Sequence, residues 1–192
     1  MSRYLARIVN TAGYKPSEAR DIARKVREIL GSREAIGNLR VSSQAIEFDL
    51  FASDSKELEI RKSLLESKIG RMATLKALDQ LPPSGVEKLE VLRQGIQLFN
   101  EERFWECHEV LEQIWHPARG AERDIIQGMI LTAAALVHAQ KDETEISLTM
   151  LKKAENKLGK DADYKGVDLG NIRQNIRRML ESRNPEAFKI KL

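Results

Sequence analysis

With 192 residues, 42% of them hydrophobic and 32% charged, the chain reads as a globular protein with material for one sizeable domain or two small ones. A formal net charge of +3 gives only a weak bias towards anionic partners, and the basic residues are mixed with acids rather than gathered in a stripe. The single cysteine, Cys107, excludes an intramolecular disulfide and a four-cysteine zinc site, and it points to a reducing, cytoplasmic compartment.

Met1 to Arg7 lacks the apolar run of a signal peptide. The longest apolar run, Met129 to Val137, is far short of the ~20 residues that span a bilayer, so no membrane partner is expected. Tyr4 to Asn10 predicts a strand. Lys15-Pro16-Ser17-Glu18 then opens a helix, in which Ala19, Ile22, Ala23, Val26, Ile29 and Leu30 share one stripe and Gly31 is the stop. Ile36 to Val41 and Ala45 to Phe51 alternate about Ser42-Ser43-Gln44, as in a β-hairpin with one buried face. Asp54 or Ser55 caps a helix running to about Lys68. Residues 69–78 are a last strand candidate, although their Ala- and Lys-rich text would also suit a continued helix.

The order β-α-β-β-α-β predicts a ferredoxin-like domain over residues 1–80. Residues 81–85 contain Pro82-Pro83, which can neither continue a helix nor sit in a central strand, and they predict a stiff linker. Residues 86–183 read as an all-α bundle of about five helices, so the fold class is α+β. Its central helix, Ala121 to Gln140, is apolar almost all round. Residues 184–192 follow the Asn184-Pro185 stop as an extended tail suited to a partner surface.

Chemistry concentrates between Phe99 and Trp115. At ~100° per residue, Phe104, Leu111 and Trp115 centre the apolar face of that helix, His108 falls inside it and Glu112 sits at its edge. Glu106, Glu109 and Gln113 point progressively towards water. Folding back at Pro117 to Gly120 brings Glu112 opposite Arg123 and His108 opposite Gln127-Gly128. Gly128 then leaves room beside His108 for close helix approach or for a ligand.

Two readings of this group stay open. In the first, Arg123 pairs with Glu112 and Gln127 bonds His108, and the cluster only fixes helix register. In the second it is a pocket for a small ligand or a divalent metal. His108 and Glu112, four residues apart, are the metal ligands, with Glu109 or Glu106 as a further ligand or base. Arg123 and Gln127 hold the ligand, Trp105 walls the pocket, and His108, Glu109 and Glu112 serve acid–base chemistry of a hydrolytic kind. His-Glu-x-x-Glu lacks the second His of a zinc-protease helix, and Cys107 lacks a base, so nucleophilic catalysis is poorly supported.

Phe99-Asn100, Phe104-Trp105-Glu106, His108-Glu109, Leu111-Glu112 and Trp115, followed by Arg123, Gln127-Gly128 and Ala133-Ala134-Ala135, resemble the family known as domain of unknown function 309. The resemblance covers about residues 86–158. It implies an all-helical bundle and brings no established activity. His116-Pro117 stands where the family more often has an Arg or Lys. The alternative class of function is a non-catalytic interaction protein, a homo-oligomer or one that contacts protein or RNA through its sheet or through Arg173, Arg177 and Arg178.

Overall fold

A computed structural model describes residues 2–78 and 87–191. The linker expected at residues 81–85 lies outside the described residues. The chain divides into two compact units, Met1–Pro82 with Gln140–Asp142, and Pro83–Ala139 with Glu143–Leu192.

The first unit is built on a four-stranded antiparallel sheet of order β2-β3-β1-β4, from β1 (Ser2–Val9), β2 (Ile36–Val41), β3 (Ala45–Ala52) and β4 (Met72–Ala77). Residues 69–78 thus supply a strand, not a longer helix. Helices α1 (Ala19–Leu30) and α2 (Ser55–Lys68) alternate with the strands. A 3-10 turn at Pro16–Glu18 precedes α1, so the fixed proline φ is used one turn before the α-helix begins. Gly31 ends α1 in the left-handed conformation at φ 67°, and the Asp54 side chain caps α2 by accepting from the Glu57 N–H at 2.9 Å.

Strict alternation on β3 sorts the two sheet faces. Ile46, Phe48 and Leu50 join Ile22 and Val26 of α1 and Leu65 of α2 in one buried cluster. Glu47 and Asp49 point the other way, where Arg7 lies 3.1 Å from Glu47 and Arg3 lies 2.9 Å from Asp49. A bulge in β2 places Asn38 at φ 50°, and its amide donates to Asp49 at 2.7 Å.

The second unit holds α3 (Lys88–Asn100), α4 (Phe104–Trp115), α5 (Gly120–Ala139), α6 (Thr144–Lys157) and α7 (Leu169–Ser182), with a two-stranded hairpin, β5 (Asp163–Tyr164) and β6 (Val167–Asp168), before α7. Its core is continuous from Val91 to Ile190 and runs along α5, where Ile126, Met129, Ala133 and Leu136 are all buried. The final residues do not stand clear for a partner. Phe188 sets its ring 5.1 Å from that of Phe99, and the Asn100 amide donates to the Ile190 carbonyl and accepts from its N–H. Phe188 and Ile190 of the alternating tail are both buried in the helical unit's own core.

Candidate metal centre

Burial along α4 follows from its sequence, but about a different centre than the aromatics suggest. Phe104, Cys107, Leu111 and Ile114, spaced three and four apart, are the buried stripe, while Trp115 is only partly covered. His108 then lies about 80° round from the middle of that stripe, Glu112 further and Glu109 furthest, at ~100° per residue. Side-chain exposure rises in the same order, from 28% through 39% to 48%. The group is therefore a surface cluster on the flank of α4, not a dry cleft inside the apolar face.

Geometry within the cluster is specific. Glu109 Oε1 lies 3.3 Å from His108 Nδ1, and Glu112 Oε1 lies 3.6 Å from His108 Nε2. One carboxylate thus addresses each ring nitrogen. One ligand atom from each of the three residues falls within a span of 4.8 Å, so the trio could hold a metal ion. Two donors on one ion at ~2.1 Å each stand at most ~4.2 Å apart, so modest rotation of exposed side chains closes the site.

Of the other residues expected at the site, Arg123 is engaged at the end of α4. Arg123 stacks its guanidinium 3.8 Å from the centre of the Trp115 ring and donates to the carbonyls of Trp115 and His116 at 3.3 Å. It forms no ion pair with Glu112 among the described residues. The physical reason is the end of α4, whose carbonyls lack intrahelical partners and draw the cation beside an aromatic face. Gln127 is partly buried on α5 and makes no hydrogen bond to His108 among the described residues. Gly128 opens no space beside His108. A Cβ built there would meet Leu158 Cγ at 2.7 Å, so its missing side chain serves contact with the end of α6. Trp105, partly buried against the core, precedes His108 by one turn on the flank that carries the cluster.

Glu106 reverses its expected direction. It is 9% exposed, and its two carboxylate oxygens accept from Arg103 Nε and Nη2 at 2.8 Å each. That bidentate pair lifts the Arg103 guanidinium above its ordinary value, chiefly through the Glu106 hydrogen bond. An Arg three residues before a Glu at a helix start was the available signal. Burial pushes the Cys107 thiol well up, so it packs as an inert group.

Comparison with known proteins supports a family and no activity. The family described as "Domain of unknown function (DUF309)" matches residues 92–150, which include the whole of α4. An uncharacterised protein of Aquifex aeolicus (strain VF5) is 23% identical over 143 residues, 68% of this chain but only 43% of that protein. The crystal structure of a conserved hypothetical protein, TTHA0068 from Thermus thermophilus, matches at 37% identity and a TM-score of 0.43, covering 50% of this chain and 99% of that one. The chain carries a DUF309 domain over residues 92–150, a stretch that includes the helix bearing His108, Glu109 and Glu112.

Proposed function

We propose that the helical unit binds a divalent metal ion on α4, with His108 Nε2 and Glu112 as its ligands and Glu109 on the opposite ring nitrogen. The observation that supports this reading is the two-sided approach of the carboxylates to one imidazole, at 3.3 and 3.6 Å. An ion takes one nitrogen of a histidine. The other, carrying the proton, is held by a carboxylate, which fixes the tautomer and strengthens the ligand. A nitrogen and carboxylate oxygens without sulfur suit zinc, manganese or a similar first-row ion.

An ion held there would supply Lewis-acid and water-activating chemistry, and that is the support for a hydrolytic role. Glu109 is then the nearest free base if the ring turns away from it. The lone buried cysteine fits a cytoplasmic location. The ferredoxin-like reading of the first unit rests on the strand order β2-β3-β1-β4 and its antiparallel pairing. RNA binding through α7 gains less support, because Arg177 is matched by Glu155 at 2.6 Å and Arg178 by Glu186 at 3.0 Å.

Calorimetric titration of chelator-treated protein with zinc and manganese tests the reading. Glu112→Gln removes a ligand and abolishes binding. Glu109→Gln keeps the ligands and weakens binding roughly 10- to 100-fold, the usual cost of losing an outer carboxylate. Equal retention of binding in both variants would sink the assignment, as would an absence of binding in the parent protein.

A further inference from the structure

A second site lies in the first unit. The end of α1 and the turn that follows border an open surface cavity of about 690 Å³, lined by Arg24, Arg27, Glu28, Gly31, Ser32 and Arg33. That volume lies within the range of small-molecule clefts, roughly 300–1,000 Å³. Three guanidiniums face one carboxylate. Arg24 spends a bond on Asp21 at 2.7 Å, but both partners are largely exposed and the pair exchanges easily. Among the described residues, neither Arg27 nor Arg33 takes part in an ion pair. The contrast with α7 is direct, since there Arg177 and Arg178 each have a carboxylate partner.

A basic residue in the last turn of a helix complements the helix dipole, and that accounts for Arg27 alone. It leaves Arg33, which stands beyond the end of α1 on the same cavity, without a role. We propose that this cavity binds an oligophosphate, a chain of linked phosphates long enough to engage Arg27 and Arg33 together, with Arg24 and the Ser32 hydroxyl in support. Guanidiniums grip phosphate oxygens in pairs, and several of them spaced along a cavity favour a linear polyanion over a single phosphate. No aromatic ring lines the cavity, so nothing there stacks on a base, and the phosphate chain rather than a nucleoside is what is recognised.

The test is calorimetric titration of the full chain with inorganic triphosphate, ATP and a short single-stranded RNA lacking a terminal phosphate. Triphosphate and ATP should bind alike, and the RNA weakly. The Arg27→Gln/Arg33→Gln double variant should weaken triphosphate binding at least about tenfold, since each lost contact is a charge-assisted bond. Arg27→Lys/Arg33→Lys should retain part of the affinity, and Arg177→Gln should leave it unchanged. Because Arg33 and Arg177 are exposed and Arg27 is only partly buried, circular dichroism should show each variant folded. Unaltered binding in the double glutamine variant overturns the proposal. So does an equal loss in Arg177→Gln, which would mean general charge attraction, or binding of the RNA without binding of triphosphate. Metal titration of the same variants is unaffected either way, so the two sites stand or fall separately.

Discussion

Glu122 opens α5 and gathers two donors from distant parts of the helical unit. Lys88 Nζ reaches it at 2.6 Å and the Tyr164 hydroxyl donates to it at 2.9 Å. The hydrogen bond from Lys88, then that from Tyr164, holds its carboxyl below the usual 4.5. Burial, and then the same hydrogen bond, pushes the tyrosine up. The signs follow from linkage. A depressed carboxylate contributes stability that is complete above its unfolded value and is lost as pH falls through the folded one. Glu122→Gln should therefore lower the urea midpoint at pH 7. The gap to the parent protein should close as pH is brought below 4.5. A gap that stayed constant into acid would show that the loss is one of packing, not charge. The tyrosine works in the opposite direction: its raised value contributes stability that is full below pH 10 and declines as pH rises beyond it.

At the scale of elements, two glycines fix how closely helices approach. Gly95 on α3 faces Leu111 of α4, where a Cβ would meet Leu111 Cδ2 at 2.6 Å. Gly128 on α5 faces the end of α6, where a Cβ would meet Leu158 Cγ at 2.7 Å and the Leu158 backbone nitrogen at 3.0 Å. Alanine gains about 1 kcal/mol of helix propensity over glycine at each position. Overpacking costs about 1–3 kcal/mol against that gain. At Gly95 only a side chain must yield. At Gly128 the backbone must also move. Gly128→Ala is expected to destabilise more than Gly95→Ala, measured by chemical denaturation, and the reverse order would mean that α6 adjusts more freely than α4. The same closeness explains a misplacement in reading the sequence. Antiparallel counting about the turn at Pro117 pairs Gly128 with His108, but counting carries no information on which other helix presses against that glycine. Likewise, His108 and Glu112 were legible as neighbours from their spacing of four, whereas the claim of Trp115 on Arg123 depends on how the α4 end leaves its carbonyls.

Over the molecule as a whole, local periodicity made most elements readable. The 3-4 spacing in α1 follows from one buried face. The alternation at residues 46–50 instead separates an apolar face from a polar one that is also covered, Glu47 and Asp49 being 3% and 1% exposed. The single buried face expected of that hairpin is therefore not what the structure has. What periodicity could not supply was where the chain's last residues go. Phe188 and Ile190 alternate as a strand would, and an exposed strand invites a partner. In the structure the partner is 89 residues earlier in the same chain, because Phe99 and Phe104 form an edge-on pair, 4.9 Å between centres, that leaves Phe99 a second face for Phe188. The tail is then part of the core and not an appendage. Phe188, 8% exposed, buries nearly a full aromatic side chain. Phe188→Ala should cost about 3 kcal/mol, the low end for aromatic-to-alanine changes in cores, because a chain end relaxes more readily than a helix interior. Asn100→Ala should add a smaller loss by leaving the Ile190 N–H without its acceptor. Since the two contacts adjoin, the double variant should cost less than the sum. Urea denaturation of the four proteins measures the cycle. An unchanged midpoint in Phe188→Ala would mean that the tail rests on the helices without holding them, and that its alternating pattern answers to something outside the chain.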